Sequence, residues 1–153
     1  MKVYKCAFTD EELCSDSMPA TIEYNGLIMK VPAKFVTAED ADEDDPNPEQ
    51  VLDVVMYYNL NETTYTKKTY RGHLKSFFAK VCARLEEKGG DLTVDAFKKD
   101  SMVFVKEILA TFDEWQFYTG AGFDDSGVIV LSKWVGEECF FYYWLPAIVE
   151  QKC

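Results

Sequence analysis

Residues 66–90 read TKKTYRGHLKSFFAKVCARLEEKGG, and this stretch decides the fold. Large apolar side chains recur in it at steps of three and four residues, which is the spacing of one face of an α-helix. The Gly89-Gly90 pair at its end is typical of a helix terminus. We therefore predict a long amphipathic helix that begins near Thr66 and stops at the glycine pair. Its apolar positions are Tyr70, Leu74, Phe77, Phe78, Val81 and Leu85.

The residues that follow repeat the helical spacing. Thr93 or Asp91 can cap a second helix, because a short polar side chain accepts hydrogen bonds from the free N–H groups of a first turn. The pattern ends near Trp115, and its apolar positions are Phe97, Phe104, Val105, Ile108, Leu109 and Phe112. Two adjoining helices joined by a short glycine turn predict a helical hairpin over residues 66–112.

Before the helices the sequence has strand and turn signals. Residues 1–8 predict a short strand, and Thr9 to Glu12 then have the N-cap residue and early acids of one helical turn. Asn25-Gly26 separates two apolar runs, residues 21–24 and 27–31. It is a strong β-hairpin signal, because both central positions of a type I′ turn need a positive φ. We therefore predict a hairpin at this point.

Further strands are predicted on both sides of the helices. Residues 51–60 are rich in β-branched and aromatic side chains, which favours a well-buried strand. Residues 116–119, 128–134 and 139–145 are strand-like and are separated by glycines. Strands that precede and follow the helices, without repeated βαβ units, indicate an α+β fold. The 153 residues suit a single domain, residues 1–153, that buries about 70% of its unfolded surface.

Charge is sorted along the chain. Residues 66–88 carry seven bases and two acids, whereas residues 39–49 carry seven acids and no base. The acidic segment, residues 38–50, has two prolines and no large apolar side chain, so we expect a mobile loop. The basic helix could use its cations only for solubility, or it could dock acidic protein surfaces with a strong salt dependence. The cations assigned to docking are Lys67, Lys68, Arg71, Lys75, Lys80 and Arg84.

Part of the acidic loop imitates a calcium-binding loop. Asp40, Asp42 and Asp44 give the pattern D-x-D-x-D, in which alternating carboxylates can converge on one hard cation. The sixth position is Asp45 rather than glycine and the twelfth is Val51 rather than glutamate, so an EF-hand is rejected. Two interpretations remain, a merely solvating loop and weak binding of Ca²⁺ by Asp40, Asp42, Asp44 and Asp45.

The sequence offers no recognisable catalytic site. His73 is the only histidine, and its place on the first helix favours a boundary or solvent-facing residue over a catalytic base. Neither a serine-hydrolase elbow nor a phosphate-binding glycine loop occurs. The net charge of -11 and the isoelectric point near 4.5 argue against nucleic acid as the principal partner. A non-enzymatic interaction protein is the favoured class.

The five cysteines form no C-x-x-C pair, which disfavours both a zinc site and a secreted disulfide framework. We expect reduced thiols in a monomeric protein. Cys153, the last residue, is either an inert tail thiol or the site of a disulfide that links two copies. The sequence shows no signal-peptide pattern and no apolar run of membrane-spanning length, so we expect a cytoplasmic protein without a membrane partner.

Several stretches carry a family resemblance. They are the opening MKVYK, CSD at 14–16, NETTYTKK at 61–68, LEE at 85–87, ILATF at 108–112, QFYTG at 116–120 and the terminal KC. Together they resemble the translationally controlled tumour protein family, also called histamine-releasing factor, over nearly the whole chain. The resemblance implies a small β-tent-like domain with a mixed sheet, a protruding helical hairpin and no zinc.

The resemblance also implies functions. Family members are cytoplasmic, non-enzymatic proteins credited with calcium binding, microtubule binding, effects on translation elongation factors, anti-apoptotic contacts and regulation of a small GTPase. Glu12 matches the family's N-terminal glutamate linked with GTPase contact, or it is simply a solvated acid. The second such glutamate is replaced, since the family's Gly-Glu pair is Gly120-Ala121 here, and the acidic loop lacks the family's Asn-x-Ser-x-Glu signature. The basic helix matches best.

These observations lead to one expected function and one alternative. We expect weak calcium binding and docking of tubulin or microtubules through the basic helix, with growth- and survival-related contacts. The alternative is a regulator or chaperone of a small GTPase, or a cofactor of translation elongation factors.

Overall fold

The computed structural model describes residues 2–90 and 92–152, which form three antiparallel sheets and a helical hairpin. The strands are β1 Lys2–Cys6, β2 Glu12–Ser15, β3 Thr21–Glu23, β4 Ile28–Ala33, β5 Phe35–Thr37, β6 Gln50–Leu52, β7 Asn61–Thr63, β8 Trp115–Thr119, β9 Val130–Val135, β10 Glu138–Trp144 and β11 Ile148–Lys152. The helices are α1 Asp53–Tyr58, α2 Lys67–Lys88 and α3 Val94–Ala110, with 3-10 turns at Phe112–Glu114 and Leu145–Ala147. The α+β class is confirmed. The resemblance implied a mixed sheet, but every strand pair among the described residues is antiparallel.

The largest sheet has the order β3-β4-β10-β9-β8-β7 and supplies the largest share of the buried core side chains. The predicted hairpin is confirmed, because β3 pairs with β4 across a turn in which Asn25 has φ 57° and Gly26 has φ 86°. The three strands predicted after the helices are also confirmed, as β8, β9 and β10. The sheet ends at β7, which the sequence pattern did not indicate.

The predicted helical hairpin is confirmed, with α2 and α3 close to their expected bounds. Thr66 caps α2 through a reciprocal pair of hydrogen bonds with Thr69, and Gly89 ends the helix with φ 60°. Thr93 caps α3, since its Oγ1 accepts a hydrogen bond of 3.1 Å from Ala96 N. The alternative cap, Asp91, lies outside the described residues.

Both helices pack their apolar faces on the sheet through aromatic rings. The ring of Phe77 on α2 lies 5.9 Å from that of Trp144, and the ring of Phe104 on α3 lies 5.3 Å from the same indole. All three side chains are essentially inaccessible to solvent. Burying each such side chain stabilises the fold by roughly 1.5–3 kcal/mol. The shared contact with β10 therefore fixes the outward faces of the helices.

The helical turn predicted at residues 9–12 is wrong. The chain reverses at Asp10, which has φ 62° and whose N–H donates to the Cys6 carbonyl. Glu12 then begins β2, which pairs with β1 and buries Leu13 and Cys14. Pairing and burial of these two residues override the local preference for a helical start.

The well-buried strand predicted at residues 51–60 is also wrong. Only Gln50–Leu52 is extended, and Asp53–Tyr58 forms α1. The buried Asp53 carboxylate accepts hydrogen bonds from the N–H groups of Lys34 and Val54, at 3.1 and 2.8 Å. This contact turns the chain into a helix, which ends at Asn59 with φ 52°. A contact with a distant backbone group thus overrides the strand propensity of the segment.

Candidate protein-interaction surface

Four cations on the first half of α2 form an exposed group. Lys67, Lys68, Arg71 and Lys75 are all exposed. At about 100° per residue they fall within an arc of about 100° around the helix. We call these four residues the outer cation group. Because Tyr70, Leu74 and Phe77 are buried on the neighbouring face, the backbone that carries the group is fixed.

The outer cation group has no ion pair of 4.0 Å or less with any described residue. The ion pairs that form elsewhere join Lys2 to Glu150, Lys5 to Asp10 and Lys30 to Glu23. Lys67 shares a recess with Asp113 and Glu114 but does not pair with them within that distance. The charges of this group therefore remain available to an acidic partner.

Lys80 and Arg84 do not belong to the same surface. They lie about 160° around α2 from the centre of the outer cation group. The Lys80 ammonium donates to the Ser126 carbonyl, and Arg84 Nε donates to the Pro146 carbonyl at 3.4 Å. Both side chains are half-buried. The six cations assigned together from the sequence are thus divided, four facing outward and two attached to the body of the protein.

His73 lies on the same flank as Lys80, at the boundary of the core. Its ring stacks on those of Tyr70 and Phe77, with centroids 6.1 and 5.7 Å away. The pKa of His73 is lowered to about 4, mainly because the ring is buried. The nearby charge of Lys80 also lowers this pKa, whereas that of Asp125 raises it. The imidazole is neutral at physiological pH and packs as an aromatic ring. The boundary position predicted for it is confirmed.

The seven acids of residues 39–49 are all exposed, in a loop between β5 and β6. Asp42 Oδ1 accepts from Asp44 N at 3.0 Å, and Asp45 Oδ1 accepts from Asn47 N at 2.9 Å. These bonds turn carboxylates toward the loop's own backbone. Within residues 2–90 and 92–152, no group of three or more Asp, Glu, His or Cys side chains lies close enough together to hold a metal ion. Asp40, Asp42, Asp44 and Asp45 therefore do not converge as the calcium interpretation requires, and the loop would have to rearrange to bind Ca²⁺.

Glu12 is exposed at the start of β2, where it stands opposite Lys5 in the strand pairing. The carboxylate that reaches across the fold is its neighbour Glu11, whose Oε2 accepts a hydrogen bond from Gly122 N. A Cβ at Gly120 would lie 2.7 Å from the same carboxylate, so that glycine permits the approach. No local sequence pattern singles out Glu11, because its partner Gly122 lies 111 positions away.

The described cysteines are free thiols, three buried and one half-buried. Burial raises the pKa of Cys14 and of Cys139 to about 11, so both remain protonated at neutral pH. A protonated, buried thiol is neither a nucleophile nor a metal ligand. Cys153 lies outside the described residues, and its role in a dimer remains a prediction.

No described helix has both the length and the apolar character that crossing a membrane requires. Among the described residues, no ion pair of 4.0 Å or less joins the outer cation group to the acidic loop.

Comparisons with known proteins are consistent with this architecture. A family model described as translationally controlled tumour protein matches residues 1–149. Translationally-controlled tumor protein homolog 1 of Dictyostelium discoideum is 38% identical over 151 residues, covering 86% of each chain. The homologue of Plasmodium yoelii yoelii is 32% identical over 171 residues, covering 99% of each. Among solved structures, the translationally controlled tumor-associated protein p23fyp of Schizosaccharomyces pombe matches with a TM-score of 0.87 and 26% identity over the full length of both chains.

Proposed function

Since this chain belongs to the translationally controlled tumour protein family, we propose that it is a non-enzymatic cytoplasmic protein that docks microtubules through the outer cation group. The observation that carries the proposal is the set of four exposed cations without a described acidic partner. Glutamate-rich tubulin tails have the opposite charge. Exposed charges attract over about 8 Å at physiological salt, so docking should weaken as salt rises.

A rigid platform adds to the attraction. The helix is fixed by its cap at Thr66 and by its buried aromatic face, so the backbone that carries the four cations need not be ordered on binding. A flexible acidic tail can then adapt to them at a lower entropic cost than if both partners were disordered. Growth- and survival-related contacts with other acidic proteins would use the same surface.

Co-sedimentation with microtubules tests the proposal. Lys67, Lys68 and Lys75 changed together to glutamate should weaken binding at least about tenfold, because three attractive charges become repulsive. The matched control changes Lys98, Lys99 and Lys106, three exposed lysines of α3, to glutamate, with the same change in net charge. Removing the acidic tubulin tails should weaken the wild-type protein to the level of the first variant. Equal losses in the two variants would show that only net charge matters and would refute a specific surface.

We also propose weak calcium binding by the acidic loop through Asp40, Asp42, Asp44 and Asp45. The support is the high density of exposed carboxylates, while their spread implies that binding must rearrange the loop. In a calcium titration followed by NMR at physiological salt, saturable shifts should be confined to residues 39–49. Asp42→Asn with Asp44→Asn should abolish them. A wild-type titration without saturable shifts would remove the proposal.

The second candidate function is regulation of a small GTPase, as an exchange factor or chaperone, or a cofactor role for translation elongation factors. The observation in its favour is the exposure of Glu12 on a rigid strand. In a nucleotide-release assay, the Glu12→Ala variant should no longer stimulate release from the GTPase. The Glu39→Ala variant, changed at an exposed acid of the loop, should still stimulate it. Microtubule binding should be unchanged in Glu12→Ala, which separates the two candidate functions.

A further inference from the structure

A groove lies at the end of the helical hairpin opposite the outer cation group. Its inner recess, of about 340 Å³, lies between the last turn of α2 and the 3-10 turn at Leu145–Ala147. A second recess, of about 380 Å³, continues from it toward Tyr4 and Glu150. Both recesses are lined by Arg84, Lys88, Leu145 and Ile148. Because they share four lining residues, the two recesses adjoin each other, and we call them together the groove.

The floor of the groove is apolar and only partly covered. Leu85, Leu92, Leu145 and Ile148 pack against the core but remain half-buried. Gly89 and Gly90 leave space beside these side chains, since a Cβ added at either glycine would meet no described atom within 4 Å. The fold thus holds a fixed set of aliphatic side chains open to a ligand of side-chain size.

The rim of the groove is positive. Arg84 Nε bonds the Pro146 carbonyl at 3.4 Å, which positions the guanidinium and leaves its terminal N–H groups for other acceptors. Lys88 is exposed, and neither cation has an ion pair with a described residue within 4.0 Å. The acid at the outer end, Glu150, already pairs with Lys2 at 3.4 Å. A carboxylate in the inner recess would therefore meet two cations.

We propose that this groove binds an acidic peptide segment of a partner protein, with one large aliphatic side chain on the floor and flanking carboxylates at Arg84 and Lys88. The apolar floor selects the central side chain, and the rim selects the charge beside it. This combination differs from the outer cation group, which has cations but no apolar recess. The inference does not depend on microtubule docking.

Two amidated, acetylated pentapeptides test the proposal, one with leucine and one with alanine between two pairs of glutamates. In an NMR titration, the leucine peptide should shift the amides of Gly89 and Gly90 and the methyl groups of Leu85, Leu92 and Leu145. The alanine peptide should bind about tenfold more weakly, because it leaves the floor uncovered. Raising the salt should weaken the leucine peptide without removing its preference over alanine.

Matched charge reversals locate the site. Lys88→Glu should weaken binding of the leucine peptide about fivefold, whereas Lys98→Glu, at an exposed lysine of α3, should change it less than twofold. Reversal of Lys67, Lys68 and Lys75 should leave it unchanged, which separates this site from microtubule docking. Equal binding of the two peptides, equal effects of the two single reversals, or shifts centred on the outer cation group would each overturn the proposal.

Discussion

The loop at residues 38–49 and the loop at residues 120–129 both place acids at the surface and both connect neighbouring strands, yet they are fixed in different ways. The described hydrogen bonds of the first loop remain within residues 37–50. The second loop is hydrogen-bonded to four residues that are distant in sequence, namely Cys6, Glu11, Asn61 and Lys80. Acidic composition therefore does not decide whether a loop is anchored to the fold.

Glycine makes the difference between the two loops. A Cβ at Gly127 would lie 2.6 Å from Cys6 Sγ and 2.8 Å from Thr9 Cγ2, so the second loop packs closely only because that side chain is absent. The first loop contains no glycine. We expect the second loop to contribute to the stability of the fold and the first to contribute almost nothing.

The largest expected effect concerns His73, which lies beneath the second loop. Its pKa is lowered to about 4 by burial, whereas the unfolded chain should have a value near 6.5. The unfolded chain therefore binds the proton more readily, so stability is full above pH 6.5 and falls as the pH drops toward 4. The loss from this residue should reach roughly 3 kcal/mol at most. Urea unfolding measured from pH 7 to pH 4 gives the slope.

The control for this prediction is His73→Phe, which keeps a ring between Tyr70 and Phe77 but cannot be protonated. The variant should show a shallower loss of stability between pH 6.5 and pH 4, with the remaining slope due to carboxyl groups. Identical slopes in the two proteins would show that the histidine is protonated equally in the folded and unfolded states.

The next effect concerns the close approach at Gly127. Gly127→Ala should lower the free energy of unfolding by about 2 kcal/mol, because the added methyl group forces Cys6 or Thr9 to move. The control is Gly72→Ala on α2, where a Cβ meets no atom within 4 Å. That change should raise stability by about 0.5–1 kcal/mol, since alanine favours a helix. If both variants lost stability equally, packing of the second loop would not explain the effect.

A smaller effect is expected from the carboxylate that binds the second loop. Glu11→Ala removes the acceptor of the Gly122 N–H and should cost about 1 kcal/mol in thermal or urea unfolding. Glu11→Gln keeps an acceptor oxygen and should recover part of the loss. Glu12→Ala, the adjacent exposed acid, is the control and should be nearly neutral. A neutral Glu11→Ala would mean that the loop keeps its position without this bond.

The same contrast explains which features could be predicted from sequence. The helical hairpin and the strand pairs around Asn25-Gly26 depend on local spacing and turn chemistry, and both were predicted. The strand expected at residues 51–60 failed because its backbone is set by a bond from Lys34 N to Asp53, 19 residues away in sequence.

The candidate surface divides in the same way. Helical spacing placed the outer cation group in solvent correctly, because exposure on an amphipathic helix is a local property. The hydrogen bond from Lys80 to Ser126 spans 46 positions of the sequence, and the bond from Arg84 to Pro146 spans 62. No periodicity contains that information, so the sequence could not divide the six cations into two groups.

The smallest expected effect concerns the first loop. Asp42→Asn with Asp45→Asn keeps both side-chain acceptors for the Asp44 and Asn47 N–H groups and removes two of seven negative charges. Stability should change by less than about 0.5 kcal/mol, because surface substitutions away from packed contacts have small effects. Amide exchange in residues 39–48 should be fast in both proteins, whereas Val128 N–H, bonded to the buried Cys6 thiol, should be protected. Protected amides throughout the first loop, or a stability change as large as that of Gly127→Ala, would mean that the acidic loop is anchored by contacts like those of the second loop.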